Sequence, residues 1–278
     1  MKRLALILIF IAFNSCSPKL RSSVIKKLPE LEESELVVIL DIVDDQIIKG
    51  DIIGELKATD NGFSENCSYY ENLEHLKVLA RKAGANLVKI TKHKPADSWS
   101  SCDRLWAKIY KVDDAKNYET EIEWSSDRKL TWDDFKGVPD DENYPNALAV
   151  TNSGFGFYSN GLNLFSKGKI FVKTVFVNNS SWFRPEGKTP YVLTHEQIHF
   201  DITEIYARKL RKAFIDANIT PSKGAEAEKI YYKIHNEWEG RQSLYDIQTQ
   251  FGEKFETQKK WKSIVEIELA KYDLYKSN

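Results

Sequence analysis

Methionine is almost missing from this chain of 278 residues: there is one, at position 1. The cores must therefore be built from branched aliphatic and aromatic side chains, with 13 Tyr, 14 Phe and 7 Trp among the latter, and these specify packing better than flexible thioethers do. Cysteine is scarce too. The three cysteines include no CxxC pair, which excludes a sulfur-ligated zinc knuckle. There is no excess of one charge, since 40 Lys+Arg stand against 41 Asp+Glu for a net charge of −1. Together with 42% hydrophobic residues, that balance excludes a disordered chain. The lack of a basic excess or of any recognised binding motif excludes a nucleic-acid partner. The longest apolar run, Leu4 to Phe13, covers ten residues. A membrane-spanning helix needs about 20, so a multi-span membrane protein is excluded as well. At about 150 residues per domain, the length predicts two domains.

The N-terminus has the layout of an export signal. Lys2 and Arg3 form a short positive region, the ten apolar residues follow, and Asn14-Ser15 precede Cys16. The run resembles a bacterial lipoprotein signal, in which such a Cys becomes the lipidated first residue of the mature chain. The expectation is a signal peptide over residues 1–16. The mature protein would then be exported and lipid-anchored through Cys16 to the cell envelope, in the periplasm or at the outer membrane. An ordinary cleaved signal with an incidental Cys is the other reading. Setting Cys16 aside leaves Cys67 and Cys102, which in an exported protein predicts one disulfide, two buried free thiols being the alternative. Residues 17–34, with Lys19, Arg21, Lys26 and Lys27 and no apolar period, read as a surface tether.

Residues 35–113 read as a small α+β domain in the order β-β-α-β-β. Strand patterns run from Leu36 to Ile42, Ile52 to Ala58, Asn86 to Thr91 and Leu105 to Val112, and Asp60-Asn-Gly signals a turn. Leu73, Leu76, Leu79, Ala80 and Ala83 recur at helical spacing, with Gly84 placed for a left-handed C-terminal cap. The run from Cys67 through Ala80-Arg-Lys-Ala-Gly-Ala-Asn-Leu-Val to Cys102 resembles the small domain of envelope stress-sensor lipoproteins of the RcsF type. That family carries two disulfides where this domain has cysteines for one, so a sensing role is not carried over. His75 and His93 read as solvated surface residues, since neither has a second ligand at helical or hairpin spacing.

A second domain, residues 118–278, follows the polar joint Asp113-Asp-Ala-Lys-Asn. Thr151 to Tyr158 and Lys169 to Val177 read as strands joined by a turn at Asn160-Gly161. Thr189 is then a good N-cap, Pro190 suits the first helical position, and Ile198, Ile202, Tyr206, Leu210 and Phe214 form an i,i+4 stripe. The predicted helix runs to about Ala217. On it His195 and His199 lie about 40° apart, with Glu196 about 60° from His199. This is HExxH geometry: two imidazoles hold Zn²⁺ and Glu196 serves as general base toward a water. Two core histidines on an apolar helix face are the other reading. The Arg208-Lys-Leu-Arg-Lys212 run reads as a solvated helix face.

The stretch from Leu130 to Leu269 resembles the DUF922 family of predicted secreted zinc-dependent proteases. The resemblance lies in Leu130-Thr-Trp-Asp-Asp-Phe, Ser181-Trp, His195-Glu-Gln-Ile-His-Phe-Asp-Ile, Tyr245-Asp-Ile-Gln-Thr and Gln258-Lys-Lys-Trp261. It implies a zincin-like metallopeptidase domain acting on a peptide or protein substrate. Where the family pattern often has His-Gly, this chain has Phe251-Gly252, so no role for that His is carried over. Catalytic zinc takes three protein ligands. Asp201 and Glu204 point about 200° and 140° away from His199, so the third ligand must come from elsewhere. Asp246, in the family-like Tyr245-Asp246 pair, is the first choice and Glu237 the alternative, with a solvated helix face open for each. Asp201 would then bond an imidazole, pair with Arg208 or face solvent, and Tyr206, Tyr245 and Arg241 are candidate oxyanion stabilisers. The competing reading of the whole chain is a non-catalytic envelope binding or sensor lipoprotein with a structural or degenerate metal site.

Overall fold

The computed structural model describes residues 18–60, 64, 66–100, 102–159 and 168–277. The signal sequence with Cys16, and the Asn-Gly steps of the two predicted turns at 61–62 and 160–161, lie outside the described residues. Among the described residues no helix is long and apolar enough to cross a membrane. Contacts divide the chain into two units between Ala115 and Lys116.

The N-terminal unit is one five-stranded sheet with one helix. Its elements are β1 (Lys19–Val24), β2 (Val38–Leu40), β3 (Gly50–Thr59), α1 (Tyr69–Lys82), β4 (Leu87–Lys94) and β5 (Arg104–Val112), in sheet order β1-β3-β5-β4-β2. Only β2 with β4 is parallel. α1 is framed as its sequence dictates. Ser68 and Glu71 form a reciprocal capping box at its start, and Gly84, at φ +77°, follows its end. Leu76 and Ala80 of α1 and Ile53, Leu56, Val88, Ile90, Leu105 and Ile109 of the strands form the core.

The described part of the predicted tether, residues 18–34, is not free chain. Lys19–Val24 pairs along its whole length with β3, Leu31 is buried, and a Cβ on Gly84 would meet the Pro29 carbonyl oxygen at 2.4 Å. The segment is polar because an edge strand can be held by backbone hydrogen bonds alone while its side chains stay exposed. His93 also departs from expectation. Its Nε2 lies 2.6 Å from the Asp103 carboxylate, and Asp103 also accepts the Tyr69 N–H at 3.1 Å.

Cys67, just before α1, is bonded to Cys102, just before β5, across 35 residues. Closing a loop of that length stabilises the fold by between about 3 and 5 kcal/mol in the chain-entropy account.

The C-terminal unit sets three helices against a small sheet. Its strands are β6 (Glu121–Glu123), β7 (Ala149–Val150), β8 (Ser153–Ser159), β9 (Ile170–Val177) and β10 (Trp182–Phe183). They form an antiparallel β6-β9-β8 sheet and a separate β7–β10 pair. The helices are α2 (Pro190–Asp216), α3 (Gly224–Thr249) and α4 (Phe255–Lys271). α2 packs on β8 and β9 as well as on α3 and α4, so it is buried on more than the face its apolar stripe defines. The stripe from Ile198 to Phe214 is buried as predicted. Arg208 is buried too, and the solvated reading of its run does not hold. Its Nε is 2.8 Å from Glu204 Oε1, to which Arg211 also donates at 2.9 Å, while Thr174 donates to Glu204 Oε2 at 2.7 Å.

Two outcomes follow. Thiol labelling of the denatured protein without reductant should find neither Cys67 nor Cys102, and labelling of both would refute the bridge. Glu204→Ala would remove the buried carboxylate that Arg208 and Arg211 share, leaving Arg208 only the more distant and half-exposed Asp273 at 3.5 Å as a charge partner. The substitution should lower the unfolding free energy by about 3–5 kcal/mol in a denaturant titration, and a loss under about 1 kcal/mol, the range of surface pairs, would contradict the pairing.

Candidate metal centre

α2 begins where the sequence places it. The Thr189 side chain accepts from the Val192 N–H and Pro190 opens the first turn. Four residues apart on this helix, His195 and His199 project in one direction, and their Nε2 atoms lie 3.1 Å apart. Asp246 comes from α3. Its Oδ1 is 3.2 Å from His195 Nε2 and 2.9 Å from His199 Nε2. Tetrahedral zinc with bonds of about 2.0–2.1 Å separates its ligand atoms by about 3.3–3.4 Å, so this triangle is close to one face of such a site. Among the described residues no fourth His, Cys, Asp or Glu joins the three, and three is the number of protein ligands in catalytic zinc sites.

The hydrogen bonds behind the rings fix what the triangle presents. His199 Nδ1 lies 2.7 Å from Gln242 Oε1, and His195 Nδ1 lies 3.1 Å from Gln258 Oε1. Each amide is oriented by its other end. Gln242 Nε2 donates to the His199 carbonyl and to Thr203 Oγ1, and Gln258 Nε2 donates to the Tyr191 carbonyl. A carbonyl can only accept, so the NH₂ groups face away from the rings and the oxygens face them. Both Nδ1 atoms therefore carry the proton, and both Nε2 lone pairs point at the Asp246 carboxylate. Three acceptors about 3 Å apart repel one another unless a cation sits among them.

Without a metal cation the alternative is a proton on an Nε2 atom, and the electrostatics of the bare triangle favour it. Burial pulls the His199 imidazole down, but the hydrogen bond and charge of Asp246, with the charge of Glu196, outweigh it and hold the imidazole above its ordinary value. Burial likewise pushes the Asp246 carboxyl up, yet the two imidazoles hold it well below the usual carboxylate range.

Glu196 is buried beside this centre, where its charge acts on both His199 and Tyr245. Among the described residues no group donates a hydrogen bond to its carboxylate, which leaves it free to take a proton. Tyr245 is the wall of the site. Its fully buried ring stacks on His195 at 4.6 Å between centroids and meets His199 edge-on at 4.9 Å. Burial, then the charges of Glu196 and Asp246, push its hydroxyl far up.

The other sequence candidates lie elsewhere. Glu237 is exposed and nine residues before Asp246, about 13 Å along the axis of α3, so it does not join the triangle. Asp201 neither bonds an imidazole nor pairs with Arg208. It accepts from Trp124 Nε1 at 2.7 Å and Gln197 Nε2 at 2.8 Å, and burial pushes its carboxyl up against the pull of Lys129. Arg241 is turned to Glu268 and the Trp261 ring, and Lys209 covers the Tyr206 ring.

The turn after α3 is strained. Gln250, Phe251 and Gly252 have φ of +51°, +52° and +88°, and the left-handed region disfavours each non-glycine residue by about 1–2 kcal/mol. It brings α4, and with it Gln258, back onto His195. Gly252 sits so close that a Cβ would lie 3.4 Å from His195 Nδ1. Strain of this kind persists where the surroundings over-determine it. Here Thr249 Oγ1 accepts from the Gly252 N–H, and Tyr191 donates to the Gly252 carbonyl.

Residues 187–252 match the family model described as "Bacterial protein of unknown function (DUF922)", which supports that family for the stretch holding His195, Glu196, His199 and Asp246. No curated protein and no solved structure matches the chain.

Gln242 and Gln258 are the site residues that sequence reasoning missed. Gln258 stands in the family-like Gln258-Lys-Lys-Trp261 run, and Gln242 lies one helical turn before Asp246 on the same face of α3. If the triangle holds zinc, Gln242→Ala and Gln258→Ala should each weaken that binding about 10- to 100-fold in competition with a chromophoric chelator. Unchanged affinity in both would remove the ring-orienting role.

Proposed function

We propose that the unit beginning at Lys116 is a zincin-like, zinc-dependent metallopeptidase acting on peptide or protein substrates, carried by an exported chain lipid-anchored through Cys16. The observation that supports this most is the triangle of His195 Nε2, His199 Nε2 and Asp246 Oδ1, with all edges at 2.9–3.2 Å and lone pairs facing inward. Two imidazole nitrogens and one carboxylate oxygen suit zinc, and these residues would hold it. Bound there, zinc supplies Lewis acidity that polarises a scissile carbonyl and acidifies a water. Glu196 takes the proton of the attacking water and delivers it to the leaving amine. Its place one residue after His195, buried against His199 and Tyr245, keeps it at the reacting centre rather than among the ligands. Gln242 and Gln258 hold the imidazoles in register, and Tyr245 closes the site behind His195. Three protein ligands, with no fourth among the described residues, favour this reading over a structural metal site in a binding or sensor protein.

The assignment separates ligands from base. His195→Ala, His199→Ala and Asp246→Ala should each lose zinc by elemental analysis of the purified protein. Glu196→Gln should keep zinc while hydrolysis of a denatured protein substrate falls about 10²- to 10⁴-fold. Glu237→Ala should change neither. Equal zinc content in all of these variants, or full activity in Glu196→Gln, would sink the proposal.

A further inference from the structure

The register of the N-terminal sheet gathers several features at one end. Lys19, the first residue of β1, pairs with Thr59 at the end of β3. Next to it Ala58 pairs with Leu105 near the start of β5, and Arg104 pairs with Lys94 at the end of β4. The loop from β4 to β5 therefore leaves the sheet at the end where β1 enters it. On this loop Trp99 is 92% exposed. The loop is nevertheless pinned: the Trp99 N–H donates to Asp97 at 2.9 Å and Ser100 Oγ to Asp60 at 2.6 Å. Lys19, Lys92 and Lys94 at the same end are exposed, Lys92 lying over the Trp106 ring, whereas the acids there are engaged, Asp97 by Arg104, Asp103 by His93 and Asp60 by the Ser100 hydroxyl. Cys16 precedes Lys19 by three residues, at most about 10 Å of extended chain. Neighbouring strands are about 4.8 Å apart, which puts β4 only about 14 Å across the sheet from β1.

We propose that this end of the sheet is a docking face for an anionic bilayer surface, with Trp99 seated among the lipid headgroups and Lys19, Lys92 and Lys94 against their negative charge. It rests on the lipid anchor at Cys16 proposed above. A Trp ring is amphipathic and partitions to the interface between water and hydrocarbon, so a position that is wasteful in water is suited to that depth. Lysines near an anionic surface add attraction that fades within a Debye length, and the anchor holds these within that range. One ring and three lysines would not retain a free protein. The anchor makes their contact intramolecular, and a weak face then suffices. The result is a fixed orientation of this unit on the membrane rather than a loose attachment.

The test uses the full-length lipidated protein in vesicles of phosphatidylethanolamine and phosphatidylglycerol whose acyl chains carry bromine near the headgroup. Bromine should quench part of the tryptophan emission, and Trp99→Phe should remove most of that quenching while leaving the unfolding midpoint unchanged. Replacing Lys19, Lys92 and Lys94 together by Glu should reduce it. Equal quenching in the parent and Trp99→Phe, or none in the parent, overturns the docking face. The mass of the mature N-terminus tells the two failures apart. A lipid-modified Cys16 with unquenched Trp99 overturns the face alone, and an unmodified Cys16 overturns the anchor and the face with it.

Discussion

A helix enclosed by a sheet on one side and two helices on another has no water to satisfy its polar side chains, and α2 carries His195, Glu196, Asp201, Thr203, Glu204 and Arg208 in that setting. Each such group left alone would destabilise the unit by several kcal/mol. The surrounding architecture can be read as the set of partners that prevents this. Trp124 and Gln197 hold Asp201, Thr174 and two arginines surround Glu204, and Ser153, Trp238 and Gln242 converge on Thr203. The histidine pair is the end of this series, where the partners are Gln242, Gln258 and Asp246. The position of β8, β9, α3 and α4 around α2 is thus fixed by polar demand as much as by the apolar stripe.

What could be read in the sequence were features whose physics is local. Thr189-Pro190 marks a helix start because a cap and a fixed φ act within one turn. Gly84 marks a helix end because the left-handed position disfavours a Cβ. The i,i+4 repeat exposed both the α2 stripe and the convergence of His195 and His199. What could not be read depends on what lies opposite. Lys19–Val24 resembles a linker because an edge strand contributes backbone rather than side chains to its sheet. Arg208 and Arg211 resemble a solvated face because nothing within α2 reveals that β9, Leu269 and Tyr275 supply carbonyl acceptors for them.

The third member of the triangle shows the same boundary from the other side. Asp246 and Glu237 stand on one helix, and residue chemistry alone does not rank them. The family-like Tyr245-Asp246 pair does, because that Tyr is the ring against which His195 lies. The two glutamines have no signature in the sequence for a related reason. Amides are chosen for the hydrogen bonds they pass on, and such relays have no spacing of their own until the helices are docked.

The triangle also sets an order of events during synthesis. His195 and His199 sit on successive turns of one helix, but Asp246 follows 47 residues after His199, and Gln258 comes later still. At about 5–20 residues per second, a few seconds separate the emergence of the first two groups from that of the third. Neither the inward lone pairs nor their carboxylate neighbour exist as a cluster until α3 has folded back on α2. A growing or half-folded chain therefore presents only a helical histidine pair, and the complete constellation comes into being in the same step that closes the C-terminal unit.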